Sequence, residues 1–175
     1  MSATRTRPTG GTKPSRRELE LADLNAVLAE LERLAQPGYT AAGNWNLAQI
    51  CDHLAYFIEG SLDGFSFRAP WLLRYFIGVP MKRRILQTGK MGRMPTPQKP
   101  LPNPNLNEKQ SVRRLKLAIE RLQHPVSQLH DSPFFGPLTP DEWRRLHTIH
   151  AAHHLSFLIP ADPNNAKDEA VAAPS

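Results

Sequence analysis

Apolar residues recur at three- and four-residue steps in four separate stretches of this chain, and its 17 prolines gather mainly in the connectors and at the ends. That rhythm lines one face of an α-helix, and proline is poorly accommodated in a helix interior. The first stretch, about Asp23 to Gln36, carries Leu24, Val27, Leu28, Leu31 and Leu34 and stops at Pro37-Gly38. The second begins at Asn46, where Asn-Leu-Ala-Gln has the form of a capping box, and carries Leu47, Ile50, Cys51, Leu54, Phe57, Ile58 and Leu62. The third starts at Asn107, turns Val112, Leu115, Ile119 and Leu122 inward, and ends at His124-Pro125. The fourth has Thr139 as cap, Pro140 in the first helical position, and Asp141 and Glu142 at the positive end of the helix dipole; it is predicted to run to Ile159.

Short links join the first two stretches and the last two, which predicts antiparallel pairs. The link over residues 63–106 is far longer and can cross the bundle, setting helices two and three parallel. The expected fold class is all-α: a four-helix bundle, up-down-down-up, with a long crossover between helices 2 and 3. Residues 1–17 and 160–175 read as disordered tails, the first of them basic, around a domain at 18–159. Within the crossover lie an apolar piece (Pro70 to Val79), a basic piece (Met81 to Gln87) and a proline-dense piece (Pro95 to Pro104).

At 175 residues the chain suits one domain. A single cysteine excludes an internal disulfide and any cysteine-only metal site, and it suits a reducing, cytoplasmic location. The first residues carry no apolar stretch, so a secretory signal is not expected. The longest apolar run, Ala69 to Val79, is broken by Arg74 and is too short to span a bilayer. Much of the net charge of +6 comes from Arg5, Arg7, Lys13, Arg16 and Arg17 and from Lys82, Arg83 and Arg84. Spread in this way it favours solubility over recognition, so neither nucleic acid nor membrane is the expected partner. The flank formed by Arg113, Arg114 and Lys116 reads as a solvated face. Trp71, Tyr75 and Phe76, beside the basic cluster, are expected to cover the mouth of the bundle rather than form a membrane or nucleic-acid patch.

Four of the seven histidines fall in His-Thr-Ile-His-Ala-Ala-His-His, residues 147–154. On a helix, His150 and His154 project from one face and can reach one ion. Trp143, Leu146 and Phe157 share that face, so it points inward, where imidazole nitrogens need partners. A divalent ion satisfies them directly, since neutral imidazole is a good ligand for zinc, nickel, copper or iron. A third ligand must come from another helix, and His53 is the only histidine in the first three. Three protein ligands with an open position is the pattern of a catalytic site. His147 and His153 are the next candidates, supporting the ligands or contacting substrate. For each histidine alone the competing reading is a core residue bonded to a carbonyl; the combination favours metal. Cys51 is expected as a small buried apolar residue, Asp52 and Glu59 as exposed helix carboxylates rather than partners of a metal-bound histidine, and His124 and His130 as exposed.

Asn-Trp-Asn-Leu-Ala-Gln-Ile-Cys-Asp-His-Leu (44–54), Phe-Phe-Gly-Pro-Leu-Thr-Pro-Asp-Glu-Trp (134–143) and Ile-His-Ala-Ala-His-His-Leu (149–155) resemble the DinB-like superfamily, in particular its uncharacterised bacterial branch. The resemblance covers about residues 18–159. It implies a four-helix bundle with a long crossover and a metal triad on His53, His150 and His154. It also implies zinc or nickel as the ion, a homodimer, and either thiol-dependent S-transfer or metal-dependent hydrolysis. Two departures bear on this. Many relatives follow the last histidine with an Arg-Gly-Gln-type segment, where this chain has Leu155-Ser156-Phe157. Ala151 also stands where His-Glu-x-x-His metalloproteases have their glutamate, so peptidase activity is not expected. The expected function is a metal-dependent hydrolase or group transferase acting on a small-molecule substrate. The alternatives are a metal-stabilised or metal-sensing bundle without catalysis, and a binding module that uses the basic crossover.

Overall fold

A computed structural model describes residues 14–36, 38–92, 105–125 and 129–161. It is mostly helical, with one small two-stranded sheet. Helix α1, Leu24–Ala35, starts where the Asp23 carboxylate accepts the Ala26 N–H. A short strand β1, Tyr39–Ala41, leads to α2, Leu47–Asp63. The predicted capping box is formed at its start: Asn46 Oδ1 accepts the Gln49 N–H at 2.9 Å, and Gln49 Oε1 accepts the Asn46 N–H at 3.0 Å. Helix α5, Glu108–Gln123, begins with Asn107 Oδ1 accepting the Gln110 N–H. Helix α6, Pro140–Leu155, has a second capping box between Thr139 and Glu142.

Packing follows the apolar stripes. Helix α2 lies against α5 and α6, and α1 touches both of these as well. Leu31, Leu34, Leu47, Leu115, Ile119 and Leu155 are fully buried between them. Cys51 is buried there too, and burial pushes its thiol pKa up, as suits a residue that only fills space.

The crossover is more structured than the sequence suggests. It contains α3, Trp71–Leu73, a π-helical turn, Arg74–Gly78, and α4, Val79–Thr88, while the expected proline-dense piece Pro95 to Pro104 lies outside the described residues. Several contacts anchor this helical stretch, among them Arg145 Nε donating to the Leu86 carbonyl at 3.0 Å and Lys82 Nζ donating to the Pro137 carbonyl at 3.1 Å. Ile85 is buried in the core. Gly78 is pressed so close to the Phe134 carbonyl that an added Cβ would sit 2.0 Å from its oxygen. The expectation that Trp71, Tyr75 and Phe76 cover the bundle mouth is corrected: they are 71%, 65% and 66% exposed. The segment is held on both sides of these rings, by the Ala69 N–H donating to the Pro133 carbonyl at 3.0 Å and by Gly78 and Ile85, while the rings themselves lie outside the core.

Three further expectations change. Helix α6 stops at Leu155, short of Ile159. Ser156 donates its hydroxyl to the His153 carbonyl, and Leu158–Pro160 becomes strand β2, antiparallel to β1 with Tyr39 opposite Pro160. Pro160 explains part of this, because the residue before a proline is pushed toward extended backbone. Arg114 is not simply solvated: it makes ion pairs with Asp52 and Glu59 that tie α5 to α2, so those carboxylates have a partner of their own. Arg17, placed by sequence in the tail, pairs with Glu30 and donates to the Leu158 carbonyl at 2.7 Å. Among the described residues no helix is long and apolar enough to cross a membrane.

Candidate metal centre and its cavity

Helix α2 contributes His53 and α6 contributes His150 and His154, and the potential ligand atoms of the three lie within 4.8 Å of one another. Two of them, Nε2 of His53 and Nε2 of His150, are 3.2 Å apart. The ring centroids are separated by 5.1 Å (His53–His150), 4.6 Å (His53–His154) and 4.8 Å (His150–His154). Two nitrogens bonded to a tetrahedral ion at roughly 2.05 Å sit about 3.3 Å apart, so the closest pair already has the spacing of two ligands on one ion. The three rings are partly buried and open onto a cavity of about 530 Å³.

Aromatic neighbours fix the ring planes. The indole of Trp45 stacks on His154 at 5.4 Å and 9° and meets His53 edge-on. Phe57 makes edge contacts with both His53 and His150. Electrostatics hold His150 and His154 neutral. Burial, then the neighbouring histidines, put the His150 pKa well below the usual value. Burial first, and then His53, His153 and Arg16, lower His154 to about 2. Neutral imidazole is the form that offers a lone pair to a cation, so the donor set fits a divalent ion.

His147 sits one turn before His150 and is buried, with its ring stacked on Trp143 at 5.0 Å and its Nε2 3.1 Å from Ser61 Oγ. Burial lowers its pKa to about 3. His153 meets His154 edge-on at 5.0 Å, and burial, then the charge of Arg16, lowers its pKa. Both line the cavity. His124 and His130 are exposed and stand apart from the cluster, as expected.

Sequence reasoning missed Trp45, Phe65, Phe134 and Met91, which also line the cavity. One signal was available for Trp45: it precedes the Asn46 cap, the place where an apolar residue commonly packs back onto its helix. Phe134 and Met91 are brought in by long-range contacts that leave no local periodicity.

The site and fold define a mainly helical protein with a three-histidine cluster able to hold a metal ion. Residues 13–161 match a family described as "Protein of unknown function (DUF1569)", and the chain belongs to that family. No curated protein and no solved structure gives a significant match.

Proposed function

We propose that His53, His150 and His154 hold one divalent ion, zinc or nickel, and that the protein is a metal-dependent enzyme acting on a small molecule in the adjoining cavity. The observation that carries this reading is the 3.2 Å approach of two Nε2 atoms from different helices, with the His154 ligand atom inside the same 4.8 Å cluster. Two unprotonated ring nitrogens facing each other at that distance repel unless a proton or a cation lies between them.

When bound, a divalent ion supplies Lewis acidity and lowers the pKa of a water or thiol at its open position. The chain's own residues do the rest. Trp45 and Phe57 hold the rings in place, burial keeps His150 and His154 unprotonated, and aromatic side chains form much of the wall against which a substrate would lie. Hydrolysis and group transfer both suit such a site, and Ala151 beside His150 argues against peptidase chemistry. The contacts among α1, α2, α5 and α6 support a four-helix bundle of DinB-like type, and we extend that likeness to a cytoplasmic homodimer.

Elemental analysis of tag-free protein tests the reading. One equivalent of metal is expected in the wild type and a large loss in His53→Ala. Full stoichiometry in a folded His53→Ala protein sinks the triad. Because the cluster joins α2 to α6, a purely structural ion is the second reading. A large rise in Tm with metal but no exchangeable ligand at the ion would favour it.

A further inference from the structure

We infer that the cavity takes an uncharged, aromatic small molecule carrying a hydrogen-bond donor, and that His147 accepts that hydrogen bond through Nδ1. This builds on the small-molecule reading of the same cavity and narrows the class of ligand.

The walls are the first argument. Trp45, Phe57, Phe65, Phe134, Trp143 and Phe157 contribute rings from α2, α6 and the segments around them. Such a lining favours a flat apolar body through burial and through ring-on-ring contacts. Among the described lining residues there is no Asp, Glu, Lys or Arg. The nearby Arg16 is exposed to water, which screens its charge, and its Nε donates to Ser156 Oγ at 2.7 Å with its Cζ 4.9 Å over the Phe157 ring. Without a bound ion, as in the titrations below, a carboxylate entering here would give up its hydration without gaining a buried paired charge in return.

The second argument fixes a tautomer. Ser61 Oγ lies 2.7 Å from the Ile58 carbonyl oxygen, which can only accept, so the single hydroxyl proton is committed there. Toward His147 Nε2, 3.1 Å away, Ser61 can then only accept, so Nε2 carries the ring proton. The neutral ring keeps a lone pair on Nδ1, which has no partner among the described residues although the residue forms part of the cavity wall. Trp143, stacked on that ring, donates its own Nε1–H to the His130 carbonyl and does not compete. The wall therefore presents an acceptor, and a ligand N–H or O–H complements it.

Metal-free full-length protein titrated with benzamide, benzoate and acetamide, followed by backbone amide chemical shifts, tests the inference. Benzamide is expected to move residues of the cavity wall and to bind at least tenfold more tightly than either benzoate or acetamide. Benzoate binding equally well or better, or benzamide shifts confined to residues 71–77, would overturn it. His147→Phe keeps an aromatic ring and removes the acceptor; it should weaken benzamide at least threefold and leave toluene unchanged. Unchanged benzamide affinity in that variant removes His147 from the proposal. Because no ion is present in these titrations, an absence of metal in the purified protein would end the metal reading without deciding this one.

Discussion

Five imidazoles line one cavity, and burial lowers the pKa of four of them, His147, His150, His153 and His154. His147 is the clearest case, because its nitrogens are not candidates for the ion. Its pKa is near 3 in the folded protein against about 6.5 in an unfolded chain. The unfolded state therefore takes up this proton first as pH falls. Stability from the buried neutral ring is whole above about pH 6.5 and is lost progressively toward pH 3, at no more than about 1.4 kcal/mol per pH unit for this one group. Urea unfolding of metal-free protein at pH 7.5, 6 and 5 should show the decline, and His147→Phe should make it shallower. Equal slopes in both proteins would mean that His147 takes up its proton without unfolding. Trp45 makes the second residue-scale case. Its indole lies flat on His154, and stacking of this kind contributes about 0.5–1.5 kcal/mol. Trp45→Ala should weaken zinc binding by up to about tenfold in a competitive chelator titration while leaving one ion per chain.

At the level of elements, the readable parts were those whose geometry is local. Helices α1, α2, α5 and α6 declare themselves through stripes such as Leu24-Val27-Leu31-Leu34 and through caps at Asn46, Asn107 and Thr139. His53 and the His150/His154 pair were legible for the same reason, since each sits at a helix position whose face the stripe defines. What was not legible depends on partners distant in sequence. Strands β1 and β2 have three residues each, too few for a period-two pattern, and exist because residues 39–41 and 158–160 meet. The helical stretch at 71–88 is apolar on nearly every side at its start, contains Pro80 and has no side-chain cap at its N-terminus, so its beginning is hidden, although Gly89 closes it in the left-handed conformation. Its position rests in part on Gly78. That residue has ordinary helical φ, so it is needed for close approach and not for backbone freedom. Gly78→Ala would drive a methyl group into the Phe134 carbonyl, and backbone cannot rotate aside as a flexible side chain does. We expect a loss of about 1–3 kcal/mol in denaturant unfolding, the range for overpacking. Phe134 lines the cavity, so the same substitution should also shift amide signals there.

Across the whole molecule the apolar surface is unevenly distributed. The core joins α1, α2, α5 and α6, and α4 reaches it through Ile85. The preceding segment leaves Trp71, Leu72, Tyr75, Phe76 and Ile77 facing solvent, with Arg83 and Arg84 exposed farther along. If these rings held the fold together, removing them would cost what removing core residues costs. Their exposure implies otherwise. The double variant Trp71→Ser, Phe76→Ser removes two large side chains that bury little area, and surface changes of that kind stay within about 0.5 kcal/mol each. Ile85→Ala removes a smaller side chain that is 3% exposed, and should cost about 2–5 kcal/mol through lost burial and the cavity left behind. The expected order in thermal melts is therefore the reverse of the order in atoms removed: the double variant melts within a few degrees of wild type, and Ile85→Ala melts well below both. A double variant as destabilised as Ile85→Ala would show that the exposed face is covered in solution, by another part of the chain or by a second copy. Dilution separates the two, because only contact with a second copy weakens as protein concentration falls.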